Sequence, residues 1–293
     1  MKRLSEKIVI LLLAVAVLVF IYSVVAEFFY DSAPSITVSK NRIGLIEIKG
    51  VILDSEKTVE RIHEFQDNSS IQGLLIRINS PGGGVAASQE IYEALQNYRS
   101  ETGKPVVASM ASVAASGGYY IACGVDTIIA NPGTTTGSIG VIMELMDYSE
   151  LLEKIGIKVN VVQSGRYKDA GRGSRKLTNE DKIYFQNFIN DAYGQFVDVV
   201  AEARKMDKSQ VQKLADGRVF TGQQALLNGL VDSLGTFSDA VNLVAEMAGI
   251  DDQPVLVRPY VRKRTFFDLL FGDLEELAQE FTSLPVLRYQ LVY

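Results

Sequence analysis

Residues 71–110 read IQGLLIRINSPGGGVAASQEIYEALQNYRSETGKPVVASM. The apolar run Ile71–Ile78 has the length and composition of a buried strand. Asn79-Ser80-Pro81-Gly82-Gly83-Gly84 stops it with residues that regular elements tolerate poorly, which predicts a turn. Ala86–Arg99 then follows helical spacing, and Pro105–Met110 is a second short strand pattern. Strand, turn, helix and strand in this order form a βαβ unit. That unit predicts an α/β fold with a mostly parallel sheet.

The pattern continues on both sides. Arg42–Leu53 alternates and is rich in isoleucine, so it reads as a strand, and Ser55–Gln66 reads as a helix with Ser55 at its N-cap. Ser116–Cys123 reads as a buried helix, Thr127–Ala130 as a strand, Ser149–Ile155 as a helix and Lys158–Val162 as a strand. Thr178–Lys205 is a long amphipathic helix, opened by Thr178 with Asp181 three residues later in the manner of a capping box. Thr221–Asn228 and Ser238–Met247 are further helices, and no internal repeat is visible.

Composition narrows the chemistry. The net charge of −6 lacks the basic footprint of a nucleic-acid binder, so no nucleic-acid partner is expected. The chain has one histidine, His63, and one cysteine, Cys123. A metal site built on histidine and cysteine needs about three or four ligands, so a site of that kind is not expected, and nucleophilic catalysis by the chain's own side chains would require no metal or cofactor. His63 lies in the charged stretch Glu60–Glu64, which reads as an exposed helix face, and Cys123 follows an apolar run and reads as core. If the chain performs nucleophilic catalysis, its base is expected to be something other than histidine.

At the N-terminus, Lys2, Arg3 and Lys7 precede an uncharged aliphatic stretch, Ile8–Ala26. Such a stretch spans about 28 Å as a helix, close to the hydrocarbon thickness of a bilayer. The basic flank predicts residues 1–7 in the cytoplasm, a single-pass anchor at 8–26 in the inner (plasma) membrane and an extracytoplasmic remainder. A cleaved signal ending at Val24-Val25-Ala26 is the alternative, though the run is longer than a signal core, and either reading exports the domain. Residues 27–42 read as a stalk, 43–259 as the main domain and 260–293 as a tail.

Four segments have the residue types for chemistry. In Ala114-Ala115-Ser116-Gly117-Gly118-Tyr119-Tyr120 a serine sits among small residues where strand turns to helix. Backbone amides at such a turn are aimed as an oxyanion requires. Taken alone it is equally a serine N-cap in a tightly packed helix. The Gly82–Gly84 turn can present an outward N–H, but it fits neither the phosphate-loop nor the dinucleotide pattern. Lys168, within Gln163–Gly171, qualifies as a base only if burial keeps it neutral, and a lone lysine is otherwise a solvated surface residue. The hydroxyl-rich Thr134–Gly140 segment either orients a neutral amine by hydrogen bonding or is a capped turn.

Together, NSPGGG at 79–84, ASGGYYIA at 115–122, TGSIGV at 136–141, SGRYKDAG at 164–171 and GRVFTGQQALLNGLVDSLG at 217–235 resemble the signal peptide peptidase A family in its short, single-repeat bacterial form. The order of these segments matches the family's, and they spread over roughly residues 43–250. The resemblance implies a fold like that of Clp protease and the crotonases. It implies a Ser-Lys endopeptidase with Ser116 as nucleophile, Lys168 as general base and Ser138 bonded to the lysine amine. Gly83 and Gly117 would be the oxyanion-hole donors. It further implies a homo-octamer whose sites combine Ser116 and Lys168 of neighbouring chains, and cleaved signal peptides left in the membrane as substrates. The chain departs from the family at Ala170–Arg175, where a Gly-Ser-Pro-like stretch is usual.

Two rival readings stand beside this one. A crotonase-like acyl-CoA hydratase or isomerase would use the same pair of amides, but it expects carboxylates at the hole and a cytosolic chain. A non-catalytic membrane scaffold would need none of the motif residues. The last residues, Leu291-Val292-Tyr293, are apolar enough to dock in a substrate groove, or else belong to a packing helix.

Overall fold

Alternation along the central strands sends side chains to two covered faces in the computed structural model, which describes residues 41–259 and 288–290. Strands β1 (Arg42–Lys49), β2 (Ile71–Ser80) and β4 (Val106–Ala115) lie parallel, with Leu45 beside Leu75 and Leu75 beside Val107. Ile43, Leu45, Leu75 and Val107 face helix α8 (Phe237–Met247) and pack on its Ala240 and Val244. Their neighbours Ile46, Ile48, Ile76, Ile78 and Met110 point the other way. There they meet Ile62 and Phe65 of α1 (Glu56–Asp67) and Ile91 and Leu95 of α2 (Val85–Thr102). Burial on both faces is why these strands read as continuous apolar runs.

The sheet runs β7 (Val219–Thr221), β6 (Thr135–Gly137), β4, β2, β1 and β9 (Val255–Val257), with β5 (Thr127–Ala130) also on β4, and β8 (Ser233–Leu234) on β5. Only the pairing of β6 (Thr135–Gly137) with β7 (Val219–Thr221) is antiparallel within it, among the described residues. The strand expected at Pro105–Met110 continues to Ala115, because β5 pairs its first half and β6 its second. That extension brings the carboxyl ends of β2, β4 and β6 together, which is where open α/β sheets place their sites.

Several local expectations change in the folded chain. Gly82–Gly84, expected as a turn, is a short strand, β3, because a backbone segment lies along it. Thr135–Gly137, expected within a loop, becomes β6 by pairing with β4 and β7. Lys158–Val162, expected as a strand, has no regular structure, and Val159, Val161 and Val162 are exposed. An extended segment gains its hydrogen bonds only from a neighbour, and these residues lack one within the described chain. Ser55 stands at the N-cap of α1 but does not cap it; its hydroxyl is turned to the Glu90 carboxylate of α2. The capping box at Thr178 and Asp181 forms as expected and opens α5 (Asn179–Arg204). The expected anchor at 8–26, residues 1–7 and the stalk up to residue 40 lie outside the described residues, as does the tail apart from 288–290. Among the described residues no helix is long and apolar enough to cross a membrane.

Candidate active site

Ser116 follows β4 directly and precedes the short helix α3 (Gly117–Ala122). The change from strand to helix is made at this one residue, at φ 54° and ψ −115°. A non-glycine residue held there costs about 1–3 kcal/mol. Two anchors hold it: its amide donates to the Gly137 carbonyl at 2.7 Å, and its carbonyl accepts from the Tyr120 amide at 2.8 Å. The residue is 1% exposed, and its Oγ has no hydrogen-bond partner among the described residues.

Two backbone amides from different elements lie beside it. A Cβ built on Gly117 would stand 3.1 Å from the Gly83 amide nitrogen and 2.5 Å from Ser88 Oγ. A Cβ on Gly83 would stand 2.0 Å from the Ile52 carbonyl oxygen. Neither position accepts a side chain without displacement, so bare backbone lines this space. Two adjacent amides next to a serine hydroxyl can hold negative charge on a carbonyl oxygen under attack.

Ser138 adjoins the same corner. It follows Gly137, the residue that accepts from Ser116, and its own amide donates to the Arg218 carbonyl at 2.9 Å. Among the described residues three non-glycine residues have positive φ: Ser116, Ser138 and Lys205, the last a helix C-cap. Ser138 also borders a cavity of about 510 Å³ lined by Val141, Ile189, Tyr193 and Asp216.

Lys168 is exposed, and among the described residues no hydrogen bond or ion pair joins it to Ser116 or Ser138. The fold therefore gathers Ser116, Gly83, Gly117 and Ser138, and leaves Lys168 exposed at the protein surface. That surface is apolar, with Val162, Tyr167, Ile183, Tyr184 and Phe188 exposed and Tyr167 stacked on Tyr184 at 4.8 Å.

Arg175, which the sequence reading passed over, pins the lysine's loop. Its guanidinium grips both oxygens of Asp169 at 2.8 and 3.0 Å and reaches Asp181 at 2.6 Å. Contact with this guanidinium is the main reason both carboxyls titrate below the ordinary range, and the Thr178 amide adds to the effect at Asp181. Only the arginine's place six residues from each aspartate hinted at the contact.

A further strand, β10 (Arg288–Gln290), lies antiparallel to β3 with Tyr289 opposite Gly83. The Tyr289 side chain is fully buried between Tyr120, stacked at 5.1 Å and 18°, and Phe196 at 4.5 Å. Its hydroxyl donates to the Ala192 carbonyl at 3.0 Å, and burial raises its phenol pKa above the ordinary value. Its carbonyl oxygen stands 3.1 Å from the point where a Gly117 Cβ would be, and 2.0 Å from the corresponding point on Gly82. Leu291–Tyr293, the residues expected to dock, lie outside the described residues. No periodicity marks Arg288–Gln290, because its pairing depends on a strand two hundred residues away.

A cysteine nucleophile does not compete. Cys123 is buried, and burial pushes its thiol up to about 12. His63 is exposed on α1.

The sequence pattern of peptidase family S49 matches residues 98–251. A Synechocystis sp. protein named as a candidate protease is 44% identical over 239 residues, covering 79% of this chain and 86% of that protein. An Enterococcus faecium protein named as a candidate signal peptide peptidase SppA is 36% identical over 231 residues, 74% of this chain and 67% of its own length. The chloroplastic serine protease SPPA of Arabidopsis thaliana is 35% identical over 243 residues, 83% of this chain and 33% of that longer protein.

Proposed function

The chain belongs to peptidase family S49 and is a serine-type peptidase, and from that premise we propose that Ser116 is its nucleophile and Lys168, supplied by a neighbouring copy, its general base. The hydratase and scaffold readings give way to that membership. The observation that carries the proposal is the corner itself: a buried Ser116 Oγ with no partner among the described residues, directly before Gly117, whose bare backbone lies against the Gly83 amide.

In this mechanism neutral Lys168 takes the Ser116 proton as Oγ attacks a peptide carbonyl carbon. The Gly83 and Gly117 amides hold the oxyanion, and Ser138 orients the lysine amine. The ammonium then protonates the leaving nitrogen, and water hydrolyses the ester. A solvated lysine is charged at neutral pH, so the base must be buried to work. Docking of the apolar loop around Lys168 onto a second copy would bury it. This argues for a ring of copies, an octamer by the family resemblance, with each site shared between neighbours.

Substrates are peptides that extend β3 by one strand, as β10 does. With residues 8–26 as a retained anchor, the domain stands outside the inner membrane and meets membrane-released peptides at raised effective concentration. Cleaved signal peptides are the class that fits.

The test is a fluorophosphonate reaction on the assembled protein with mass mapping of the adduct. A single adduct on Ser116, absent in Lys168→Ala, is expected. Mixing inactive Ser116→Ala and Lys168→Ala chains under exchange conditions should then restore part of the activity. Labelling of another residue, or full activity in either variant alone, rejects the dyad.

A further inference from the structure

Helix α2 turns one buried stripe inward: Ser88, Ile91, Leu95 and Tyr98, spaced as a helix requires. Ser88 opens that stripe with a hydroxyl, and it is 0% exposed. A buried hydroxyl costs free energy unless it is hydrogen-bonded. Ser88 Oγ donates to the Gly84 carbonyl at 2.9 Å, one helical turn back. A bond of that kind is common in helices and by itself only local. The same oxygen has a second neighbour, from another element. It stands 2.5 Å from the point where a Gly117 Cβ would be, and the Gly83 amide nitrogen stands 3.1 Å from that point. One side-chain oxygen therefore lies against Gly117 while bonded to the residue that follows Gly83.

The geometry points to Ser88 as a positioning residue for the oxyanion hole, a brace that holds the Gly117 backbone against the Gly83 amide. The inference rests on Ser116 as nucleophile with Gly83 and Gly117 as the donors. Those two glycines belong to β3 and α3, which come from different parts of the chain. The Ser88 hydroxyl bridges them, tied to Gly84 on one side and filling the space beside Gly117 on the other. Ser88 takes no part in bond making and acts only through the two glycines. A missing side chain at 117 and a hydroxyl at 88 are then two halves of one fit.

Negative charge on the carbonyl oxygen develops as the bond to Ser116 forms, so donor placement is felt in kcat and little in KM. Ser88→Ala should keep the helix, because the N-cap carbonyl of Gly84 also accepts the first backbone bond of α2. It removes the brace and leaves Gly117 room to drift. Loss of a whole donor costs about 10²–10³ in kcat, and a displaced one should forfeit about tenfold.

The experiment is a double-mutant cycle on the assembled full chain. It compares wild type, Ser88→Ala, Gly117→Ala and the double variant, with Ser100→Ala as a control for hydroxyl loss from the exposed side of the same helix. Each is assayed on one quenched fluorescent peptide that wild type cleaves, by the rate of fluorophosphonate labelling at Ser116 and by its urea midpoint. Ser88→Ala should lose about tenfold in kcat with KM within about twofold, label Ser116 more slowly and unfold at the midpoint of Ser100→Ala. Gly117→Ala should be hit harder, since its methyl group meets Ser88 Oγ. Adding Ser88→Ala removes that conflict and leaves 3.1 Å as the closest approach, so the double variant should regain activity over Gly117→Ala. Wild-type kcat in Ser88→Ala, or losses that simply multiply in the double variant, overturns the inference and leaves the Ser116 assignment intact. A Ser88→Ala midpoint far below that of Ser100→Ala makes the serine merely structural and overturns it as well. Absence of Ser116 labelling in wild type removes the underlying assignment, and this inference with it.

Discussion

The Ser116 amide and the Gly137 carbonyl are joined by a 2.7 Å hydrogen bond, and both residues have positive φ, 54° and 76°. The turn that presents the serine is therefore held by the neighbouring strand end, and Ser138 follows that strand directly. The candidate nucleophile and the candidate orienting hydroxyl share one strained backbone corner.

Strain at Ser116 makes a thermodynamic prediction. Ser116→Gly should abolish peptidase activity yet stabilise the fold by about 1 kcal/mol, since glycine occupies this φ without penalty. Ser116→Ala keeps the strain and should gain less. Urea midpoints of the two variants decide it, and a glycine variant less stable than the alanine one would show that the turn is unstrained.

Gly83 has no room for a methyl group. In Gly83→Ala the new atom would stand 2.0 Å from the Ile52 carbonyl oxygen, so β3 must shift. Loss of one oxyanion donor costs about 10²–10³ in kcat. Gly133→Ala, with open space around the site, serves as the folding control and should retain activity. Equal kcat in the two variants would remove Gly83 from the mechanism.

Arg175 couples the lysine's loop to the start of α5, and the coupling titrates. Asp169 and Asp181 ionise below their ordinary range when folded, chiefly through the guanidinium. A depressed carboxylate stabilises the fold above its unfolded pKa, near 3.9. That stability fades as pH falls through the folded value. Stability should thus decline below about pH 4 in wild type, and Arg175→Gln should flatten that decline while lowering stability at pH 7. Denaturant unfolding between pH 3 and pH 7 measures it; parallel pH profiles for the two proteins would dismiss the clamp.

Val162 is fully exposed beside the Lys168 loop. If that surface docks on a second copy, Val162→Asp should reduce assembly size in light scattering and reduce activity in proportion, with circular dichroism unchanged. A fully assembled and active Val162→Asp would take the docking face away from this loop.

Much of the fold was legible in local pattern. Ile71–Ile78, Ala86–Arg99, Thr127–Ala130 and Thr178–Lys205 showed their periodicity, and the elements formed close to the expected bounds. The serine at a strand-to-helix turn and the glycine-rich run were legible too, because small residues and chain reversal leave a mark in composition. Lys158–Val162 misled, since an alternating segment records only readiness to pair and not whether a partner is present.

The sequence by itself determined the alternation of strands and helices, the scarcity of histidine and cysteine and the residues offered for chemistry, all of which depend on composition and short-range spacing. Only the tertiary structure decided that β4 runs on to Ala115, that Gly83 and Gly117 come side by side and that Tyr289 fills a pocket between Tyr120 and Phe196. It also decided that Lys168 is exposed while Ser116 is buried with no partner for its Oγ among the described residues. Each of these depends on contacts between residues far apart in sequence, and such contacts are fixed by the packing of the whole chain rather than by any window of it.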